Sequence, residues 1–295
     1  MQNIESLTEQ RNPSSYNLDC LSPPEIIKLM NQEDYKVVQA VSEQNENIAK
    51  TVEMVVNSLT NNGTLFYIGA GTSGRLGILD SVECPPTFST DPDIVQGIIA
   101  GGHEAFVKAV EGAEDSAENG ANDIKERVKK NDVVIGIATS GSTPYVRGAL
   151  KEAKKTGAKT ALITCTKLHE DDPSIDILIT PLVGPEILTG STRLKAGTAT
   201  KMILNMISTI TMIKLGKVYE NLMIDLKVVN KKLKKRALKI IKTLTNVDDE
   251  TAQNLLEQAK GKVKPALVMY FLKVNYEIAE QRLKESNGFL RPLLK

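Results

Sequence analysis

Apolar positions along the chain change their period twice. Residues 22–60 read as helical, and Ser22-Pro23-Pro24-Glu25 opens them as an N-cap, with proline in the first turn and an acid at the third helical position. Asn61-Asn62-Gly63 stops that pattern. From residue 64 short apolar, β-rich runs take over, at 64–68, 94–100, 132–138, 160–164 and 175–180. Helix-length segments at 74–82, 103–114, 116–130 and 143–156 separate them. Buried strands alternating with helices predict a parallel sheet covered on both faces, with right-handed crossovers: a doubly wound α/β domain. The strand signal ends near residue 218, and Lys-rich then Glu/Gln/Leu-rich patterns over 231–290, broken at Asp248-Asp249 and Gly261, predict about three helices. The organisation expected is an N-terminal helical arm (1–60), a central α/β domain with a mainly parallel five-stranded sheet (61–228) and a small C-terminal helical region (229–295).

Composition narrows the function. Of 295 residues, 37 Lys and Arg oppose 36 Asp and Glu, a formal charge of +1, which supplies no basic field for nucleic acid or an anionic membrane. The basic run at 231–236 reads either as a nucleic-acid patch or, preferably, as a solvated helix face. Two His and three Cys are too few and too scattered for a zinc site. An odd cysteine count at wide spacing fits a reducing cytoplasm. Residues 1–15 carry no apolar core of a signal peptide, and the most apolar stretch, 202–215, is too short and too polar to span a bilayer.

The loops after the strands are where a doubly wound sheet binds ligands. Gly69-Ala70-Gly71-Thr72-Ser73-Gly74 follows the first strand and opens a helix. It matches the dinucleotide fingerprint, but Asp91 and Asp93 lie before the second strand, where that fingerprint wants an acid after it. Thr72 and Ser73 add hydroxyl donors that suit a terminal phosphate. Thr139-Ser140-Gly141-Ser142-Thr143-Pro144 repeats the design after the third strand. Hydroxyls and free amides at a helix start cradle a dianion, so the two loops together predict a phosphate-bearing small molecule rather than incidental tight turns. In the stretch 184–195, Ser191, Thr192 and Lys195 are further ligand candidates, whereas Arg193 and Lys201 read equally as surface charges. The helix that follows reads as core or dimer interface. Among acids, Glu83 stands before Cys84-Pro85-Pro86, at the expected end of a helix that the prolines stop, and Glu111, Glu114, Asp115 and Glu118 crowd one segment without periodicity choosing among them. Cys84 lacks a base partner, and His103 and His169 read as structural.

These loops resemble the sugar isomerase domain. Residues 69–88, GAGTSGRLGILDSVECPPTF, are similar to the signature of N-acetylmuramic acid 6-phosphate etherases. Ala100-Gly101-Gly102-His103, residues 109–115, 184–201, Thr8-Glu9-Gln10-Arg11-Asn12-Pro13 and Gly288-Phe289-Leu290-Arg291 also look familial, so the resemblance runs over nearly the whole chain. It implies a lyase that removes D-lactate from the sugar phosphate by elimination and water addition, with Glu83 as acid and Glu114 as base. The phosphate would rest on Gly71, Thr72, Ser73, Gly74, Thr139, Ser140, Ser142 and Thr143. It further implies a metal-free site without cofactor, a homodimer, and a C-terminal region similar to ubiquitin-associated domains. A sugar-phosphate isomerase, or a non-catalytic sugar-phosphate regulator, is the alternative on the same fold.

Overall fold

A computed structural model describes residues 7–168, 171–226, 228 and 230–294; His169 lies outside them. The chain opens with α1 (Pro23–Ser42) and α2 (Asn45–Thr60). At the start of α1 the Glu25 carboxylate accepts from the Ser22 amide at 2.8 Å and its hydroxyl at 2.5 Å, satisfying a donor the first helical turn would leave orphaned. The central elements are β1 (Leu65–Gly69), α3 (Gly71–Phe88), β2 (Val95–Ile99), α4 (Gly102–Val107), α5 (Ala117–Lys125), β3 (Val133–Ile137), α6 (Pro144–Lys155), β4 (Lys159–Ile163), β5 (Ile177–Ile179) and α7 (Lys195–Lys214).

The five strands form one parallel sheet, as expected, and their order is β2-β1-β3-β4-β5, with Leu65 paired to both Val95 and Val133. Each strand rests on apolar residues that alternate between faces. Phe66, Ile68, Val134 and Leu162 pack with Ile124, Val146 and Leu150 of α5 and α6. Tyr67 and Ile137 meet α3 on the other face at Gly77, where an added Cβ would sit 2.9 Å from that of Tyr67. Each fully buried Val, Ile or Leu contributes about 1.5–3 kcal/mol. The strand order reverses between β1 and β3, and the carboxyl ends at such a reversal leave a crevice.

Three helix expectations need correction. The prolines at 85 and 86 do not stop α3, which continues to Phe88. Each removes an N–H donor and sets its ring against the carbonyl four residues back, yet helical bonding resumes beyond them, the Ser89 amide donating to Pro85 O at 2.9 Å. The segment expected as one helix over 103–114 is the short α4 followed by a 3₁₀ turn, Ala113–Asp115: α4 ends at Val107 because Lys108 turns extended, and Gly112 leads into the 3₁₀ turn at φ +72°. The C-terminal region holds four helices among the described residues: α8 (Lys231–Thr245), α9 (Asp249–Gln258), α10 (Val263–Leu272) and α11 (Tyr276–Glu285), preceded by a two-residue hairpin, β6 (Val218–Tyr219) and β7 (Leu222–Met223). Asn230, Asp248 and Asn275 cap α8, α9 and α11 by accepting from Leu233, Thr251 and Ile278 amides.

Contacts divide the chain into two compact units, one running to Val82 and resuming over Asp93–Ser208, the other comprising Glu83–Pro92 and Thr209–Lys295. The second has its own core, centred on Ile240, Ile241, Leu256, Leu267 and Leu283. Cys20 is exposed, whereas Cys84 and Cys165 are buried. Among the described residues no helix is long and apolar enough to cross a membrane, and no cluster of side chains could hold a metal ion.

Candidate active site

The two hydroxyl-rich loops open onto one crevice of about 430 Å³ in the first unit. Gly71, Thr72 and Ser73 line it from the start of α3; Thr139, Ser140, Ser142 and Thr143 line it from the loop into α6; Thr192 and Glu114 join them. The first loop is tight because its backbone nearly touches itself: a Cβ on Gly74 would sit 2.7 Å from the Gly69 carbonyl oxygen and 2.6 Å from Ile99 Cγ1. In the second loop the Ser140 and Ser142 hydroxyls are 3.0 Å apart, and the Gly141 amide donates to Ala138 O at 2.8 Å. Arg147, one turn into α6, holds that loop from behind. Its Nε donates to the Gly141 carbonyl at 2.6 Å and its Nη1 to Asp172 Oδ2 at 2.6 Å. Burial pushes the Asp172 carboxyl up, but hydrogen bonds from Ser174 and the Arg147 charge outweigh it and hold the group below its ordinary value.

Among the crowded acids the geometry is selective. Glu114 and Asp115 line the crevice; Glu111 lines only a smaller adjoining cavity of about 220 Å³, which Glu114 also borders. Arg75 fixes this neighbourhood, donating from Nε to Phe106 O at 3.0 Å and from Nη2 to Lys108 O at 3.1 Å. Among the described residues the crevice lining contains hydroxyls, backbone and three carboxylates, those of Glu9, Glu114 and Asp115, and neither lysine nor arginine.

Other expected ligand residues lie elsewhere. Gly74 and Ser191 flank the lining residues without joining them. Lys195 is 1% exposed, and its ammonium bonds Glu33 Oε2 at 2.6 Å. Its amide and that of Ala196 donate to the buried Glu186 carboxylate, both at 3.0 Å, which caps α7. Burial pushes the Glu186 carboxyl up against the pull of those two amides and of Lys195. Glu83 is exposed and belongs to the second unit. Thr8 and Glu9 line the crevice although sequence reasoning did not single them out as site residues; the only signal for them was the Thr8–Pro13 motif.

A doubly wound sheet with two hydroxyl-rich loops at its reversal has the architecture of a sugar isomerase (SIS) domain, and the family models match it. Residues 108–210 match the SIS domain, residues 47–154 the N-terminal SIS domain of glucokinase regulatory protein, and residues 220–268 the C-terminal lid domain of that protein. The chain is 53% identical over 289 residues to an N-acetylmuramic acid 6-phosphate etherase of Geobacillus sp. (strain WCH70), covering 98% of both chains. It is 52% identical to one of Clostridium acetobutylicum, covering 98% of this chain and 96% of that one. A solved phosphoheptose isomerase of Neisseria gonorrhoeae superposes with TM-score 0.47 and 15% identity over 64% of this chain and 98% of its own. The chain belongs to the N-acetylmuramic acid 6-phosphate etherase family.

Proposed function

We propose that this chain is a carbon–oxygen lyase that converts N-acetylmuramic acid 6-phosphate to N-acetylglucosamine 6-phosphate and D-lactate, acting in the cytoplasm as a homodimer. The observation that carries the reading is one crevice in which two hydroxyl–amide loops, a cradle for a phosphate dianion, stand beside Glu114.

The chemistry needs little more. An ordinary ether resists hydrolysis, but in the open-chain sugar C1 is an aldehyde and the C2 hydrogen is acidified by it. Glu114 takes that proton and the C2–H electron pair moves toward the C1 carbonyl as an enolate; its return restores the aldehyde and forms the C2=C3 bond as the C3–O bond breaks. Glu83 gives its proton to the departing lactyl oxygen. Water then adds at C3, returning a proton to Glu83, while Glu114 restores hydrogen to C2. Glu114 is supported by its place in the crevice. Glu83 is supported by the match of its Glu-Cys-Pro-Pro segment to the family motif.

Assaying D-lactate released from the sugar phosphate tests the activity and separates it from an isomerase or a silent regulator, neither of which would liberate lactate. Glu83→Gln and Glu114→Gln are each expected to abolish release while retaining sugar-phosphate binding. In deuterated water Glu83→Gln should still exchange the C2 hydrogen and Glu114→Gln should not. The opposite pattern reverses the two roles, and full turnover by either variant removes that residue from the scheme.

A further inference from the structure

The N-terminal segment is fastened to the stretch before α7 by a buried polar knot. Asn12 Nδ2 donates to Glu33 Oε2 at 2.8 Å and to Pro185 O at 3.1 Å. The same Glu33 oxygen receives the Lys195 ammonium at 2.6 Å. Asn12 and Glu33 are each 4% exposed and Lys195 1%. Ser15 Oγ adds a bond to Ile187 O at 2.7 Å. A buried ion pair gives little net stability over an apolar replacement, and its best-attested use is to fix a register. Here the register fixed is that of residues 8–15 along the crevice wall.

What this fastening delivers is Glu9. The residue lines the crevice. Next to it, Gly190 donates its amide to Thr8 O at 3.3 Å, adopts φ +75°, and leaves room that a Cβ would take 3.3 Å from Glu9 Oε2. A carboxylate repels the phosphate that the loops are built to hold, so it does not serve that end of the ligand. It can serve only donors. We infer that Glu9 is a specificity residue that accepts hydrogen bonds from the uncharged part of a phosphorylated amino sugar, a chain hydroxyl or the acetamido N–H, with the Asn12–Glu33–Lys195 knot as its positioning group. This rests on the substrate class proposed above.

Binding measurements on the full chain decide it, with inorganic phosphate and N-acetylglucosamine 6-phosphate as the two probes. Glu9→Ala should weaken the sugar phosphate at least about tenfold, the loss for a bond to a charged acceptor, and leave inorganic phosphate unchanged or slightly tighter. With N-acetylmuramic acid 6-phosphate the variant should raise KM by a similar factor and leave kcat within a few-fold. Equal weakening of both probes would mean that Glu9 merely supports the crevice, and unchanged sugar-phosphate binding would mean that it faces no ligand; either result overturns the inference. Absence of D-lactate release by the parent enzyme would instead strike the etherase reading, since the ratio of the two probe affinities judges Glu9 without turnover.

Discussion

Single residues in the two loops divide the labour between holding and being held. Ser73 and Ser140 line the crevice, whereas Arg147 stands outside its lining and shapes the second loop through the Gly141 carbonyl. Ser73→Ala and Ser140→Ala should each raise KM for the 6-phosphate, with kcat little changed, by the roughly 1.5–3 kcal/mol of a hydrogen bond to a charged group. Steady-state kinetics on both variants check this, and an unaltered KM in the pair would move the phosphate elsewhere. The loops were legible because their chemistry is local: hydroxyls, glycine and a following helix occupy six consecutive positions. Lys195 was not, because the acid that claims its ammonium stands 162 residues away. Glu9 was missed for the same reason, since a contact between residue 9 and the loop at 190 leaves no periodic trace.

Elements read well where burial dictates them and poorly where a single residue breaks them. All five strands fell within a few residues of their expected places, since a strand covered on both faces is a continuous apolar run. The misplaced boundaries sit at Pro85-Pro86, which a helix tolerated, and at Lys108, where the chain turns extended and ends α4. Between elements, Asp176 is the joint to test. It accepts from the Thr160 amide at 2.9 Å at β4, and it pairs with Lys154 of α6. Burial raises its carboxyl, but Lys154 and Thr160 lower it further, so its folded pKa lies below the usual 3.8. A depressed acid contributes stability that is present above its unfolded pKa and lost as pH falls through the folded one. Asp176→Asn should therefore cost about 1 kcal/mol at pH 7, after allowance for partial exposure. The gap from the parent protein should close below about pH 4. Urea unfolding at the two pH values measures it; a gap that persists in acid would mean the loss is steric.

At the scale of the molecule, each of the two units buries a cysteine. Cys165 stands 1% exposed just after β4 and Cys84 2% exposed in α3, while Cys20 is on the surface. Burial, with the nearby Glu186 charge, pushes the Cys165 thiol up to about 12, so it is protonated as well as covered at neutral pH. Iodoacetamide should thus place one adduct on the native protein promptly, at Cys20, and the other two slower by a factor on the order of 10³ or more, the ratio of folded to open forms in a stable domain. The alkylation of Cys84 and Cys165, followed peptide by peptide in a mass spectrometer, becomes a pair of clocks already written into the chain, one for each unit. They time how often each unit uncovers its buried thiol, with no label added and no residue changed.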